Sequence, residues 1–251
     1  MSKITLITGS SRGLGRSMAL KLAGQGGDVI VTYNGSKEAA DALVAEITAQ
    51  GRKVVALPLN VEDVASFPAF VESLEATLGS TFGRDTFDHL VNNAGYVEYG
   101  LVPDVTESAF DNMVNVHFKG PFFLTQALLP VLADGGRILN ISTGFTRTSA
   151  PGFSTYAAAK GALEVLTRFQ ATELGARGIT VNTIAPGATE TDFGGGALRS
   201  SPDMQAHFKS ITVLGRVGQA DDIGGVVASF LSGENGWING QRIEVTGGAL
   251  I

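Results

Sequence analysis

The sequence contains no cysteine in 251 residues and only three histidines. The absence of cysteine excludes disulfides, thiolate zinc sites, iron–sulfur clusters and cysteine nucleophiles. His89, His117 and His207 are far apart along the chain, so we expect no metal site. Charged residues are also few, at 17% against a usual share of about 25%. Together with an apolar share of 44%, this composition indicates a folded globular protein.

Basic residues are in the minority, since 18 Lys and Arg against 24 Asp and Glu give a net charge of -6. They form no run, so we expect no nucleic-acid partner. No apolar stretch reaches the roughly 18 residues of a membrane-spanning helix. Residues 1–10 are typical of a strand followed by a glycine-rich turn rather than of a cleavable leader. We therefore expect a cytoplasmic protein without membrane contact.

Glycine is abundant, with 33 residues, and the chain alternates short β-branched runs with segments of helical spacing. The clearest helical spacing follows Ser36, where Ala40, Leu43, Val44 and Ile47 recur at i, i+3, i+4 and i+7. The seven candidate strands are residues 4–8, 29–33, 54–59, 87–92, 137–142, 179–184 and 242–245. Strands joined by helical crossovers form a parallel sheet covered on both faces. The pattern predicts one doubly wound α/β domain over residues 1–251, a Rossmann fold with a seven-stranded parallel sheet.

The least regular segment is residues 192–218, which contains the consecutive glycines Gly194 to Gly196. Because it lies late in the chain, we predict that it is a flap over the substrate. An ordinary surface loop is the alternative.

A glycine-rich turn, Thr8-Gly9-Ser10-Ser11-Arg12-Gly13-Leu14-Gly15, joins the first strand to the first helical pattern. Glycines there let the backbone approach a pyrophosphate, and the N-terminus of the following helix supplies unpaired N–H groups for it. The spacing is G-x-x-x-G-x-G. We expect a dinucleotide to bind against Gly9, Ser11, Arg12, Gly13, Leu14 and Gly15. A turn with a purely structural role is the alternative.

The end of the second strand predicts which dinucleotide binds. A carboxylate there would bind the ribose 2′-OH of NAD, whereas a basic environment accommodates the 2′-phosphate of NADP. The residues Tyr33-Asn34-Gly35-Ser36-Lys37 include no Asp or Glu. We therefore predict NADP, with Asn34 beside it and Arg12 and Lys37 as the candidate phosphate ligands; NAD is the alternative.

Tyr156 and Lys160 lie four residues apart at the start of a long helical pattern, which puts both side chains on one face. An ammonium beside a phenol stabilises the phenolate and lowers the phenol pKa from about 10 toward neutrality. A phenol tuned in this way suits proton transfer to or from a carbonyl oxygen. The same spacing joins Tyr33 and Lys37, so context must decide between the two pairs.

The context is a series of motifs through which almost the whole chain resembles the short-chain dehydrogenase/reductase family, and especially its 3-oxoacyl-carrier-protein reductases. The motifs are Thr8 to Gly15, Asn92-Asn93-Ala94-Gly95, Asn115, Asn140-Ile141-Ser142-Thr143, Tyr156 to Lys160, and Val181 to Gly187 with Thr189 and Thr191. Several ordered motifs at family spacing are more specific than any one of them. The resemblance implies an NADP-dependent oxidoreductase of small carbonyl or alcohol substrates.

The resemblance also implies catalytic roles. Tyr156 would be the general acid in reduction and the base in oxidation, and Lys160 would bind the nicotinamide ribose and lower the Tyr156 pKa. Asn115 would hold a water behind Lys160. Thr143 occupies the usual position of the family serine that holds the carbonyl, with Ser142 one residue earlier. Because a strand alternates its side chains between faces, we favour Thr143 over Ser142.

The remaining family positions imply a cofactor wall and a substrate side. Asn60 and Val61 would lie beside the adenine, although the family commonly has Asp where this chain has Asn60. The other cofactor residues implied are Asn93, Ala94, Gly95, Pro186, Gly187, Thr189 and Thr191. Tyr96, Phe145, Phe153 and Phe193 fall on the substrate side and predict an apolar pocket.

The resemblance further implies a homotetramer or homodimer, with helices around residues 122–132 and 156–174 supplying the contacts. Two other functions stay open. One is a nucleotide-binding regulatory protein without turnover, and the other is an epimerase or dehydratase that uses the same site.

Overall fold

Seven parallel strands form one sheet in the computed structural model, which describes residues 2–249. In chain order, the strands are β1 (Ile4–Ile7), β2 (Asp28–Tyr33), β3 (Val54–Pro58), β4 (Phe87–Asn92), β5 (Leu132–Ile141), β6 (Thr180–Pro186), the two-residue strands β7 (Thr189–Glu190) and β8 (Gly218–Gln219), and β9 (Arg242–Val245). The sheet has the order β3-β2-β1-β4-β5-β6-β9, while β7 and β8 pair only with each other. The predicted seven-stranded parallel sheet is confirmed.

The helices cover both faces of this sheet. They are α1 (Gly13–Gly24), α2 (Lys37–Ala49), α3 (Phe67–Thr77), α4 (Glu107–Val114), α5 (Gly120–Leu128), α6 (Ser154–Glu173), α7 (Ala197–Ser200), α8 (Pro202–Ile211) and α9 (Ala220–Leu231). One core cluster joins the sheet to α3, α4, α5 and α6, and a second joins it to α1, α2 and α9. Strand alternation feeds both clusters, because Leu6 packs into the first and the next residue, Ile7, into the second. The doubly wound α/β prediction is therefore confirmed.

The sheet order reverses at β1, which pairs with β2 on one side and with β4 on the other. The chain leaves β1 and β4 in opposite directions, so a crevice opens at the carboxyl ends of these two strands, where open α/β sheets bind their ligands. The glycine turn follows β1 and the Asn92 to Gly95 turn follows β4, so both border the crevice.

Residues 192–218 are more regular than the sequence indicates. Gly194, Gly195 and Gly196 have left-handed backbone angles, and the chain then continues into α7 and α8. The Ser201 hydroxyl accepts the Met204 N–H at the start of α8, and Pro202 occupies the first helical position. A capping serine followed by proline favours a helix start. The irregular composition around Gly194 to Gly196 hid these signals.

Candidate active site

The glycine turn after β1 and the asparagine turn after β4 are in direct contact. The Thr8 hydroxyl oxygen accepts the backbone N–H groups of Asn93 and Ala94, both at 2.9 Å. Gly9 has φ +62°, and a Cβ there would lie 2.8 Å from Ala94 Cα. At Gly15, a Cβ would lie 2.7 Å from Asn93 Nδ2. The two turns approach this closely because side chains are absent, and together they form one wall of the crevice.

The start of α1 has the features of an anion site. Arg12 is the N-cap residue, its side chain forms no capping hydrogen bond, and the first turn contains no acidic residue. Unpaired N–H groups at a helix N-terminus favour a bound anion. Ser11 is buried beneath the turn, whereas the Arg12 side chain is exposed. The backbone over residues 9–15 therefore fits a pyrophosphate.

The two candidate ligands of a 2′-phosphate differ in their surroundings. Lys37 is paired with Asp41 at 2.6 Å, one turn along α2, and this carboxylate raises the Lys37 pKa. Within residues 2–249, Arg12 forms no ion pair. Asn34 is exposed at the end of β2. Arg12 is thus the better-placed cation.

On the adenine side, Val61 is buried and Asn60 is exposed. The Asn60 side-chain oxygen already accepts the Glu62 N–H at 3.1 Å. This contact closes a local turn of the kind that asparagine favours. Because the side-chain oxygen is used in this turn, the Asn60 amide nitrogen is the group that can donate to a ligand.

Tyr156 and Lys160 lie near the start of α6, and both side chains are buried. Lys160 Nζ donates to the Ile141 carbonyl at 2.6 Å and lies 6.0 Å from the Tyr156 ring centroid. Thr143 is also buried, and its hydroxyl lies close enough to Tyr156 to act on the phenol pKa in the direction that favours the phenolate. The structure thus brings three of the four residues with implied catalytic roles together.

Burial controls the ionisation of this group. It raises the Tyr156 pKa to about 12, although the nearby Thr143 hydroxyl acts in the opposite direction. It lowers the Lys160 pKa to about 7, against the smaller upward effect of Glu164. The expected lowering of the Tyr156 pKa by Lys160 is not found in this structure, because desolvation is the largest influence on the phenol and also favours a neutral lysine.

Ser142 and Thr143 have different partners. The Ser142 hydroxyl donates to Glu164 Oε1 at 2.6 Å, whereas the Thr143 hydroxyl accepts the Phe145 N–H at 3.3 Å and lies beside Tyr156. Alternation at the end of β5 accounts for the difference. Of the two hydroxyls, Thr143 is the one next to the phenol.

Asn115 begins a single π-helical turn, Asn115–Lys119, between α4 and α5. Its backbone carbonyl accepts the Gly120 N–H, and a Cβ at Gly120 would lie 2.1 Å from the Val61 carbonyl oxygen. Such turns occur frequently at functional sites. Within residues 2–249, the Asn115 side chain forms no hydrogen bond with Lys160. Asn115 is therefore near the site but not joined directly to the buried group.

The sequence reasoning missed His117, whose side chain is 1% exposed and packs against the phenol. The His117 and Tyr156 ring centroids are 4.9 Å apart at 83°. His117 Nε2 donates to the Tyr96 carbonyl at 2.7 Å, since a carbonyl can only accept. Burial lowers the His117 pKa well below its usual value, so the ring is neutral. The available signal was its position in the sequence, two residues after Asn115.

Beyond Tyr156, a group of aromatic rings borders the mouth of the site. Phe145 and Phe153 have centroids 4.7 Å apart, Tyr99 meets Phe153 edge-on at 5.8 Å, and Phe193 lies 5.7 Å from Tyr156. Tyr99 was not predicted from the sequence. Its ring covers Gly152, where a Cβ would lie 2.0 Å from the ring.

Tyr96 does not join these rings. Its hydroxyl donates to Glu62 Oε1 at 2.9 Å, and it therefore lies toward the Asn60 turn rather than toward Phe153. Because its hydroxyl has a carboxylate partner, Tyr96 offers a less apolar surface than the sequence predicts, and its place on the substrate side stays a prediction.

The segment after β6 lies opposite the glycine turn. Pro186 is buried at the end of β6, the Gly187 N–H donates to the Val245 carbonyl at 3.0 Å, and the Thr189 hydroxyl donates to the Gly187 carbonyl at 3.0 Å. Thr191 is buried, and a Cβ at Gly13 would lie 3.8 Å from Thr191 Cβ. The segment thus returns to the start of α1.

Two further structural properties bear on the class of site. None of the helices in residues 2–249 combines the length with the apolar character that a membrane crossing requires. In the same part of the chain, His, Asp and Glu side chains form no group of three or more suited to a metal ion.

Comparison with known proteins gives full-length matches. Residues 9–249 match the family model described as "Enoyl-(Acyl carrier protein) reductase". The chain is 37% identical over 250 residues to the 3-oxoacyl-[acyl-carrier-protein] reductase FabG of Staphylococcus aureus, covering 99% of this chain and 98% of the relative. It is 35% identical over 261 residues to a "Probable tetrahydroxynaphthalene reductase" of Zymoseptoria tritici, with coverages of 99% and 95%.

A solved structure extends the likeness to the fold. The angucycline C-6 ketoreductase LanV, solved with bound NADP, has a TM-score of 0.93 and 38% identity, covering 99% of this chain and 95% of its own. The sequence matches, the fold and the crevice beside β1 and β4 all point to the same family. The chain belongs to the short-chain dehydrogenase/reductase family, whose members are NAD(P)-dependent oxidoreductases.

Proposed function

We propose that this protein transfers a hydride between NADP(H) and a carbonyl or secondary alcohol, with Tyr156 as the general acid in reduction and the base in oxidation. Thr143 holds the carbonyl oxygen and Lys160 binds the nicotinamide ribose. Asn115 holds a water on the far side of Lys160. The observation that carries the proposal is the burial of the phenol against both the Thr143 hydroxyl and the Lys160 side chain.

NADP is the cofactor that the crevice fits best. The helix start at Arg12 and the glycines of the turn leave room and N–H groups for a pyrophosphate. The end of β2 has no carboxylate for a ribose 2′-OH, and LanV was solved with NADP. When bound, the nicotinamide supplies the hydride chemistry, while the protein orients and polarises.

The wider cofactor site uses the residues around the crevice. We assign the pyrophosphate to residues 9–15, the adenine to Asn60 and Val61, and the ribose phosphate to Arg12 beside Asn34. The other wall consists of Asn93, Ala94, Gly95, Pro186, Gly187, Thr189 and Thr191. Thr191 lies beside Gly13, so it closes the site on the side away from Asn93.

In reduction, the buried phenol donates its proton to the carbonyl oxygen. With a pKa raised by burial to about 12, Tyr156 holds this proton throughout the physiological range. The Thr143 hydroxyl donates a second hydrogen bond to the same oxygen. Two donors fixed in a water-poor site stabilise the negative charge that develops there.

Consumption of NADPH, followed by its near-ultraviolet absorbance with a panel of ketones, tests the reaction. The Tyr156→Phe variant should lower turnover by about 10²–10⁴-fold, the range for a lost general acid, while NADPH affinity stays nearly unchanged. Intact cofactor binding without turnover of any carbonyl would instead favour a regulatory nucleotide-binding protein. Altered products without net NADPH consumption would favour an epimerase or dehydratase.

For the substrate class, we propose ketones of fused aromatic ring systems. The rings of Tyr99, Phe145, Phe153 and Phe193 border the mouth beside Tyr156, and flat rings stack favourably on such surfaces. The names of two relatives point the same way, since one is a tetrahydroxynaphthalene reductase and the other an angucycline ketoreductase. An acyl thioester, as in FabG, is the second candidate.

The kcat/KM ratio between a bicyclic aromatic ketone and an acetoacetyl thioester separates these two classes. We expect the aromatic ketone to be preferred, and Phe153→Ala to reduce that preference more than it reduces thioester turnover. A wild-type preference for the thioester would overturn the aromatic assignment and leave hydride transfer in place.

We also propose that residues 192–218 form a flap over the substrate, because Phe193 at its start lies close to the Tyr156 ring.

Association into a homotetramer or homodimer through α5 and α6 is a further proposal. The cytoplasmic location stays a prediction from the sequence.

A further inference from the structure

A buried carboxylate lies one turn beyond Lys160 on α6. Glu164 Oε1 accepts hydrogen bonds from the Ser142 hydroxyl at 2.6 Å, the Thr146 hydroxyl at 2.8 Å and Arg242 Nε at 2.7 Å. The Glu164 and Arg242 side chains are only 14% and 12% exposed. A carboxylate with three donors at this degree of burial is a fixed anchor rather than a solvated surface charge.

Arg242, the cationic partner of Glu164, contacts the backbone of Thr143. Arg242 is the first residue of β9, and its Nη2 donates to the Thr143 carbonyl at 3.1 Å and to the Thr146 hydroxyl at 3.0 Å. Nη1 donates to Glu244 at 2.7 Å. The planar guanidinium therefore connects β9, the residues after β5 and helix α6 in one arrangement.

The backbone that carries Thr143 is thus held at two adjacent residues. Glu164 fixes the Ser142 side chain, and Arg242 fixes the Thr143 carbonyl. Thr143 itself has an extended backbone and is the N-cap residue of a short 3-10 turn, Gly144–Thr146, which follows the strand. Without the pair, the Thr143 side chain would lose the contacts that set its direction toward Tyr156.

We propose that Glu164 and Arg242 are positioning residues, which hold the Thr143 hydroxyl at the place where the carbonyl oxygen binds. The inference rests on the proposed function, because it concerns the hydroxyl assigned there to the substrate. Neither residue touches the substrate; both act through Thr143. Misplacement of a catalytic group by about 1 Å can cost about 10²-fold in rate.

A matched control lies at the other end of the sheet. Asp88 at the start of β4 is buried even more deeply, with 4% of its side chain exposed, and it also accepts from three donors: Lys3 at 2.7 Å, Arg84 at 2.6 Å and the Ile4 N–H at 2.9 Å. Loss of either carboxylate should lower the unfolding temperature, because each removal leaves buried donors unpaired. Only the loss of Glu164 should change the position of the Thr143 hydroxyl.

The test is a double-mutant cycle between Glu164→Leu and Thr143→Val, with Asp88→Leu as the control. Turnover of a ketone with NADPH, the NADPH dissociation constant by fluorescence and the thermal unfolding temperature are measured for each variant. We expect Glu164→Leu to lower kcat by about 10–100-fold in the wild-type background. In the Thr143→Val background the same change should have almost no further effect, since coupled residues are not additive.

NADPH affinity should stay within about twofold in all of these variants, because the site of the pyrophosphate lies at the glycine turn. Equal losses from Glu164→Leu in both backgrounds would overturn the proposal and leave a purely structural clamp. If Glu164→Leu does not fold, Glu164→Gln replaces it in the double-mutant cycle, because the amide has a similar shape and one acceptor oxygen but no charge. Its coupling with Thr143→Val should then have the same sign, and additivity would again contradict us.

The Tyr156→Phe variant separates failure of this inference from failure of the proposed function. Wild-type turnover by Tyr156→Phe would contradict the reaction itself. An inactive Tyr156→Phe variant combined with an additive Glu164 and Thr143 cycle would contradict only the positioning role.

Discussion

At the residue scale, a threonine rather than a serine stands beside the Tyr156 phenol. The β-methyl of Thr143 restricts its rotamers, while its hydroxyl still donates a hydrogen bond. We expect Thr143→Val to lower kcat by about 10²–10³-fold, the usual cost of one lost donor to a developing oxyanion. Thr143→Ser should retain most activity, and Ser142→Ala should cost less than Thr143→Val, because the Ser142 hydroxyl bonds Glu164 and acts only through the position of Thr143.

Steady-state kinetics of the three variants with one ketone at saturating NADPH provide the measurement. Unfolding temperatures serve as the control for misfolding. A larger loss from Ser142→Ala than from Thr143→Val would assign the carbonyl to the other hydroxyl.

The ionisation of Tyr156 gives a pH dependence that differs between the two reaction directions. Burial raises its pKa to about 12, so the neutral phenol, which we propose as the proton donor in reduction, is fully present at neutral pH. Oxidation needs the phenolate, whose fraction rises about tenfold per pH unit below the pKa. Between about pH 6 and pH 9, we expect kcat for alcohol oxidation to rise, while the contribution of Tyr156 to ketone reduction stays constant.

The measurement is a pair of pH profiles, one for each direction, at saturating cofactor. Tyr156→Phe should abolish the rise together with the activity. An oxidation rate that does not change with pH over this range would contradict the phenol as the base.

Residues of the site were predictable where their chemistry is tied to sequence spacing. Tyr156 and Lys160 are a pair on one helical face, and Gly9 and Gly15 adjoin a strand end. His117 and Tyr99 were missed because their roles depend on tertiary contacts, with the Tyr156 ring and with Gly152, that no local spacing encodes. The direction of the Tyr156 pKa was misjudged for a similar reason, since desolvation depends on the whole fold.

At the element scale, buried β-branched runs such as residues 29–33 allowed the strands to be located closely. The predicted strand 137–142 is shorter than β5, which begins at Leu132. Asp134 and Gly135 at its start resemble a turn, and the irregular register between Phe87 and His89 accompanies this polar stretch. Leu132 pairs with Phe87, and regular pairing with β4 resumes only at Arg137, so the turn propensity of Asp134 and Gly135 survives as an irregularity within β5.

Two elements, the start of α1 and the start of α2, bring a cation to the proposed 2′-phosphate. Arg12 has no ion-pair partner within residues 2–249, whereas Lys37 is bound to Asp41 at 2.6 Å. We expect Arg12→Ala to raise the KM for NADPH by about 10–100-fold, the value of one charge-assisted hydrogen bond. The KM for NADH should change little, and Lys37→Ala should have a smaller effect than Arg12→Ala.

The KM values of both dinucleotides, measured for the wild type and the two alanine variants, decide this point. Equal weakening of NADPH and NADH by Arg12→Ala would assign the arginine to the shared pyrophosphate instead. A dominant effect of Lys37→Ala would show that its pairing with Asp41 breaks on binding.

At the scale of the whole molecule, the face made by α4, α5 and α6 carries large apolar side chains that the chain itself leaves exposed. Phe169 on α6 is 60% exposed and Val165 is 45% exposed. Phe110 on α4 and Phe122 and Phe123 on α5 are also exposed. A monomer rarely exposes so many large apolar groups on neighbouring helices without a partner, which supports the proposed contact surface.

The oligomeric state therefore tests the whole-molecule proposal. We expect size exclusion with light scattering to give a homotetramer or homodimer for the wild type. Phe169→Glu should reduce the mass, because a carboxylate buried at an apolar contact without a partner is strongly unfavourable. Met204→Glu, on the exposed helix α8, is the matched control and should leave the mass unchanged. A monomeric wild type, or dissociation by Met204→Glu alone, would contradict contacts through α5 and α6.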